Sequence, residues 1–244
     1  STGAARCCSG ANDCVTSGAA GVTRPDESER SAVRQPLAAD SGGGAGIQAD
    51  IKTVTALGGF AMTAITALTA QNTTGVQGIH EVPADFVSQQ MHSVIDDLGV
   101  DAIKIGMLHR PEIIEVVANV LADKLPGVPV ILDPVMIATS GARLIEDSAA
   151  EALSERLLPH ADLLTPNAPE AAALSGQLVE TIEDALIAAR SMRDMGPGAI
   201  LMKGGHLGGD TVIDLLFKDE DQPMRFTGPR IHSSDTHGTG GCSR

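Results

Sequence analysis

The chain has 244 residues, with 17 Lys and Arg against 31 Asp and Glu, and a formal charge of -14. Duplex binding needs a surplus of basic residues to neutralise phosphates, and the absence of Trp and Tyr removes most stacking platforms for single strands, so nucleic acid is excluded as a partner. No apolar run is long enough to span a bilayer and the first residues lack a signal-peptide pattern, so a cytoplasmic protein with no membrane partner is expected.

Residues 1–36 are rich in Gly, Ala, Ser and Arg and show neither a helical nor a strand period. Arg6, Arg24, Arg30 and Arg34 balance Asp13, Asp26, Glu27 and Glu29, so the whole negative excess belongs to residues 37–244. The first segment reads as a disordered tail. Cys7, Cys8 and Cys14 match no zinc spacing and, like Cys242, read as unpaired thiols.

From Asp40 the chain alternates helix-like and strand-like stretches. A glycine run at 42–46 leads into a helix with Ile47, Ile51, Val54 and Leu57 on one face. An apolar run from Met62 to Leu68 ends at Gln71 and Asn72. Phe86, Val87, Met91, Val94, Ile95 and Leu98 mark a second amphipathic helix. A short strand at 102–105 precedes a helix that Pro111 opens. A buried strand at 128–132 stops at Asp133, and a helix follows around 149–158. A strand at 162–165 stops at Pro166 and Asn167, with a short helix after it. A helix at 182–195 and a strand at 199–202 lead to Lys203, and an antiparallel pair at 212–217 and 224–227 follows. Repeated strand-helix units with apolar strands predict an α/β fold, a mostly parallel sheet covered on both faces. In such sheets ligands bind beyond the carboxyl ends of the strands. The polar groups there are Asp40, Gln71, Asp133, Asn167 with Glu170, Lys203 and His206, alongside Met107.

Each strand end has its chemistry. The glycine run offers backbone N–H groups to a small ligand but fits no nucleotide fingerprint. Lys203, one of five lysines, is followed by two glycines and can place its charge on a phosphate, or is simply solvated. Asn167 and Glu170 share a helical face. Together they suit a hydrated Mg2+, with Asp133 as a further carboxylate, or equally an ordinary capping box. Gly238, Thr239, Gly240 and Gly241 can offer a row of N–H groups to a transferring phosphoryl group.

Seven segments taken in order resemble the bacterial hydroxymethylpyrimidine/phosphomethylpyrimidine kinases of thiamine synthesis. They are residues 40–50 (DSGGGAGIQAD), 65–73 (ITALTAQNT), 104–108 (KIGML), 133–136 (DPVM), 165–171 (TPNAPEA), 202–206 (MKGGH) and 236–240 (THGTG). The resemblance implies a ribokinase-like three-layer α/β/α sandwich with a mostly parallel central sheet. It implies a homodimer that uses ATP and Mg2+ to phosphorylate a pyrimidine alcohol and then its monophosphate. Carried over residue by residue, Ala45, Asp50, Thr69, Gln71, Met107 and Val135 would bind the pyrimidine. Gln71 would read the ring edge and Met107 would pack on its face. Lys203, Asn167 and Thr239 would contact ATP. Asp133, Asn167 and Glu170 would organise the metal and its water, and Gly238, Thr239 and Gly240 would form the anion hole, with Gly241 beside them at the catalytic position.

Two places depart from that pattern. Arg34 and Pro36 suit a central parallel strand badly, and Gly241 stands where the family carries a cysteine, with Cys242 one residue late. The expected arrangement is therefore an unmatched segment at 1–36 and a kinase domain at 37–244, shortened at its C-terminus, with an atypical first strand and without the terminal helices. Two alternatives stay open. One is a pyridoxine/pyridoxal kinase of the same superfamily. The other is a pyrimidine-binding protein with impaired catalysis.

Overall fold

The computed structural model describes residues 32–72, 75–136, 145–206, 210–218 and 222–230. Strand β1 is Ala32–Asp40, helix α1 Gly46–Ala56, β2 Phe60–Asn72 and β3 Gly75–Glu81. Then come α2 Ala84–Leu98, β4 Ala102–Ile105, α3 Pro111–Lys124 and β5 Val130–Leu132. Helix α4, Asp147–Ala152, runs into a π turn at Leu153–Leu157 and a 3-10 turn at Leu158–His160. The remainder is β6 Leu163–Leu164, α5 Ala168–Ser175, α6 Ile182–Arg193, β7 Ala199–Met202, β8 Thr211–Phe217 and β9 Met224–Pro229.

The strands form one sheet in the order β3-β2-β1-β4-β5-β6-β7-β8-β9. The run from β2 to β7 is parallel, while β3 at one edge and β8 and β9 at the other are antiparallel. From β1 the chain moves outward to β2 and β3, then returns to place β4 on the other edge of β1. That reversal is where α/β sheets open a crevice for ligands.

Strand alternation sorts the side chains between two faces. Ile103, Ile105, Val130, Leu132, Leu164, Ile200 and Met202 point to one face and form a single core with α2 to α6. Helix α1 packs on β1 and β2. It lies on the opposite face, where its Asp50 meets Lys104 of β4. The architecture is thus the expected three-layer α/β/α sandwich. Among the described residues no helix is long and apolar enough to cross a membrane.

Three expectations change. The first strand begins at Ala32, inside the stretch that composition assigns to a tail. Pro36 is accommodated on the β4 side because β1 pairs with β4 only at Val33 and Arg34. The proline, which has no N–H to give, comes after that ladder has stopped. Strand β3 was not expected at all. Its pairing with β2 shifts register between Ala70 and Gln71. The residues it packs inward, Val76 and Ile79, therefore lie three apart rather than two, and a period-two pattern cannot show it. Finally, α1 buries Ile47, Ala49 and Asp50, whereas Ile51 is 37% and Leu57 77% exposed. The stripe turns toward Asp50 because that carboxylate pairs with Lys104. Phe86 and Leu98 of α2 are likewise exposed, leaving Val87 and Met91 to face the core.

Candidate active site

The loop after β1 is organised from within. The buried Asp40 carboxylate accepts the Gly42 N–H on Oδ1 at 2.8 Å, and the Gly44 and Ala45 N–H groups on Oδ2 at 3.0 and 2.8 Å. The Asp40 carbonyl accepts the Gly43 N–H at 3.0 Å. The glycine run therefore does not present these amides to a ligand, as its sequence suggests; Asp40 takes all four. Gly46 opens α1 at φ +57, and a Cβ there would approach the Ala38 carbonyl oxygen to 2.5 Å. Glycine is thus required on two counts.

Beside this loop lies a small apolar patch. Ala38, Ala67 and Met107 are buried together, with Val76, Ile79 and Val135 packed against them. Thr69 and Gln71 follow Ala67 on the same face of β2. Ser41 clasps the Gln71 backbone: its hydroxyl accepts the Gln71 N–H at 2.8 Å and donates to the Gln71 carbonyl at 2.7 Å. Thr69 Oγ1 lies 2.9 Å from the Ala39 carbonyl oxygen and 3.2 Å from Gln71 Oε1. Met107, Val135, Thr69 and Gln71 thus gather at one end of the sheet. Ala45 gives its amide to Asp40, and the Asp50 carboxylate accepts from Lys104 Nζ at 2.7 Å.

A second cluster gathers charge. Lys203 Nζ donates to Asp133 Oδ1 at 2.8 Å and lies 3.8 Å from Glu170 Oε2. Asn167 and Lys203 form a bridge between their strand ends, and the Lys203 N–H donates to the Pro166 carbonyl at 2.8 Å. Asn167 and Glu170 do form the capping box. Asn167 Oδ1 accepts the Glu170 N–H at 2.9 Å, and Glu170 Oε2 accepts the Asn167 N–H at 2.8 Å. The capping-box reading of the pair therefore holds, and the same carboxylate also faces the charge cluster. Burial pushes the Glu170 carboxyl up to about 7, opposed by Lys203 and aided by Asp133. Burial also pulls down on the Lys203 ammonium, but Asp133 and Glu170 outweigh it, and its pKa is raised.

Just after Lys203, Gly204 donates its N–H to Asp214 Oδ1 at 2.7 Å. A methyl at Gly204 would overlap the Ile213 carbonyl. The first glycine after the lysine is thus needed for close backbone packing on β8. Among the described residues, no three His, Cys, Asp or Glu side chains gather as a metal cage. Asp133 and Glu170 nonetheless fit a hydrated Mg2+, which keeps most of its waters and needs one or two carboxylates. They already hold one cation between them, the Lys203 ammonium. Gly238, Thr239, Gly240 and Gly241 lie outside the described residues.

Sequence reasoning missed Ser41, Lys104 and Asp214 as partners, and gave Asp40 no definite task. Only Lys104 carried a local signal, a charge inside the apolar strand 102–105. Ser41 and Asp214 act on backbone groups 30 and 10 positions away, and Asp40 acts on the amides of the loop that follows it.

The two clusters meet at the end of β5, where Asp133 joins Lys203 and Val135 joins the apolar patch. An apolar bed and a charged cluster so placed at the strand ends of a mostly parallel α/β/α sheet match the ribokinase-like kinase arrangement that the sequence resemblance implies. The phosphomethylpyrimidine kinase family model matches residues 40–243. The hydroxymethylpyrimidine/phosphomethylpyrimidine kinase of Escherichia coli is 49% identical over 202 residues, 82% of this chain and 75% of that protein. The thiamine biosynthesis bifunctional protein ThiED of Geobacter sulfurreducens is 48% identical over 211 residues, 86% of this chain but only 43% of that protein. Among solved structures, the pyridoxal kinase of Staphylococcus aureus in complex with AMP-PCP superposes with a TM-score of 0.79 at 32% identity, covering 87% of this chain and 77% of that one. The chain belongs to the phosphomethylpyrimidine kinase family.

Proposed function

We propose that this protein transfers the γ-phosphoryl group of ATP to 4-amino-5-hydroxymethyl-2-methylpyrimidine and then to the resulting monophosphate, in thiamine biosynthesis. The observation that carries the reading is the junction at Asp133 and Val135. An apolar bed for a small ring and a lysine–carboxylate cluster for phosphates lie two residues apart on one strand end.

The pyrimidine rests on Met107 and Val135, with its polar edge toward Gln71 and with Thr69 beside that amide. Lys203 places its charge on the ATP phosphates, and Asn167 holds the adjoining helix end in place. Asp133 and Glu170 hold the Mg2+, which supplies charge neutralisation on the phosphates when bound. The alcohol oxygen attacks the γ-phosphorus, the bond to the β-γ bridging oxygen breaks, and ADP leaves with that oxygen. The alcohol proton passes to solvent. Catalysis in such a reaction is mostly positioning and electrostatic stabilisation, and the amides of Gly238, Thr239, Gly240 and Gly241 are the donors for the transferring group. Asp50, paired with Lys104, and Ala45, held by Asp40, complete the pyrimidine site.

The test is incubation of the chain with ATP, Mg2+ and the pyrimidine alcohol, with mono- and diphosphate products followed by phosphorus NMR. Sequential appearance of both is expected, and absence of both overturns the reading. The likeness to a pyridoxal kinase favours a second substrate, so pyridoxal is assayed alongside. A kcat/KM for pyridoxal more than about tenfold above that for the pyrimidine alcohol, a preference of roughly 1.4 kcal/mol, reassigns the enzyme. Binding of the pyrimidine alcohol without turnover, seen by calorimetry, points instead to a catalytically impaired binder.

A further inference from the structure

Thr69 has one hydroxyl proton and two neighbours, the Ala39 carbonyl oxygen at 2.9 Å and the Gln71 amide at 3.2 Å. The Ala39 carbonyl can only accept, whereas an amide can accept or donate, so both contacts are satisfied together only with the hydroxyl proton on Ala39. With Gln71 Oε1 against Thr69 Oγ1, two oxygens would then face each other with no proton between them. Half a turn of the Gln71 amide about its last bond exchanges its O and N, which are nearly alike in shape. The turned amide donates to Thr69 Oγ1, Thr69 donates to Ala39, and both contacts become hydrogen bonds. The Gln71 backbone stays put, because Ser41 bonds both its N–H and its carbonyl.

We propose that Thr69 is a positioning residue that fixes the Gln71 amide with its oxygen, rather than its NH2 group, facing the apolar patch. On the reading that this patch binds the ring of the substrate, the consequence is specificity. A carbonyl oxygen accepts from an amino group on the ring carbon beside the hydroxymethyl group. It repels an aldehyde at that position, which is an acceptor as well. The Thr69–Gln71 pair therefore selects the aminopyrimidine alcohol against pyridoxal, and it does so by leaving the wrong ring an unpaired contact.

Two readouts test this. In the 15N-labelled full chain without substrate, the Gln71 side-chain NH2 should show one proton protected from solvent exchange. Thr69→Ser keeps that protection and Thr69→Val removes it. In steady-state kinetics, Thr69→Val should raise KM for the aminopyrimidine alcohol roughly five- to twentyfold, as expected for losing an oriented hydrogen bond. Its kcat should stay within about twofold, and its preference over pyridoxal should fall, with Thr69→Ser restoring both. Unprotected amide protons in the wild-type chain overturn the proposal without any variant. So does a Thr69→Val protein whose KM and preference are unchanged, or whose loss is equal for both alcohols. If the amide is protected but the wild-type chain phosphorylates neither alcohol, the kinase reading fails and the Thr69–Gln71 geometry stands. Turnover with an unprotected amide has the opposite meaning.

Discussion

Glu170 caps α5 and faces Lys203 with the same carboxylate. Burial raises its pKa from an ordinary 4.5 to about 7. The folded protein therefore holds this proton more tightly than the unfolded chain does. Its contribution to stability is complete at pH values below the ordinary pKa and is lost as pH rises through about 7. A neutral isostere does not titrate and can still accept the Asn167 N–H. Glu170→Gln should accordingly gain on the wild type between pH 5 and pH 8, by up to about 3 kcal/mol, in urea midpoints measured in metal-free buffer. Adding Mg2+ at pH 8 should narrow that difference, because a divalent cation favours the charged carboxylate. Parallel stability curves for the two proteins across this range would show that Glu170 does not carry the raised pKa.

The loop between β1 and α1 is the element on which sequence and structure differ most. Its glycines were legible, and so was the helix they open. What the amides do was not, because the acceptor is a side chain at the end of the preceding strand and not a ligand. The same limit explains the other partial readings. The Asp50–Lys104 pair was not legible because its partners lie 54 positions apart in the chain. Strand β3 hid behind a register shift, and β1 behind a proline that falls just past its ladder with β4. Elements built on a regular period, such as α3, β4, β7 and the β8–β9 pair, were read close to their true bounds. The strand-end rule placed Asp133, Asn167, Glu170 and Lys203 together for the same reason: topology, not local pattern, gathers them. The loop itself makes a sharp prediction. Asp40→Asn replaces one carboxylate oxygen by an NH2 group that must face N–H donors from Gly42, or from Gly44 and Ala45. Losing charge-assisted bonds should cost about 2 kcal/mol or more in a urea melt. An unchanged midpoint would mean the amides find other acceptors.

For the whole molecule, the two faces of the sheet are unequal. Ile103, Ile105, Leu132, Leu164 and Ile200 are fully buried under α2 to α6. Their alternating neighbours Lys104, Ile131, Leu163 and Leu201 are only partly buried, and α1 reaches no farther than β1 and β2 in its main contacts. Stability is therefore concentrated on one face, while the other contributes the Asp50–Lys104 pair and the bed of the site. Strand β6 offers a controlled test, because its only two residues are Leu163 and Leu164. They share a strand, a side-chain type and the same parallel neighbours, β5 and β7. They differ in the face they occupy. Leu164→Ala should leave a cavity in the packed core and cost roughly 2–5 kcal/mol. Leu163→Ala removes a side chain that water already reaches, and should cost less than about half as much. Chemical denaturation of the two variants, with equal m-values as the control, reads the ratio directly. Equal losses would mean that Leu163 is as well covered as Leu164 and that the sheet is packed alike on both sides. A larger loss for Leu163 would reverse the assignment of the stabilising face.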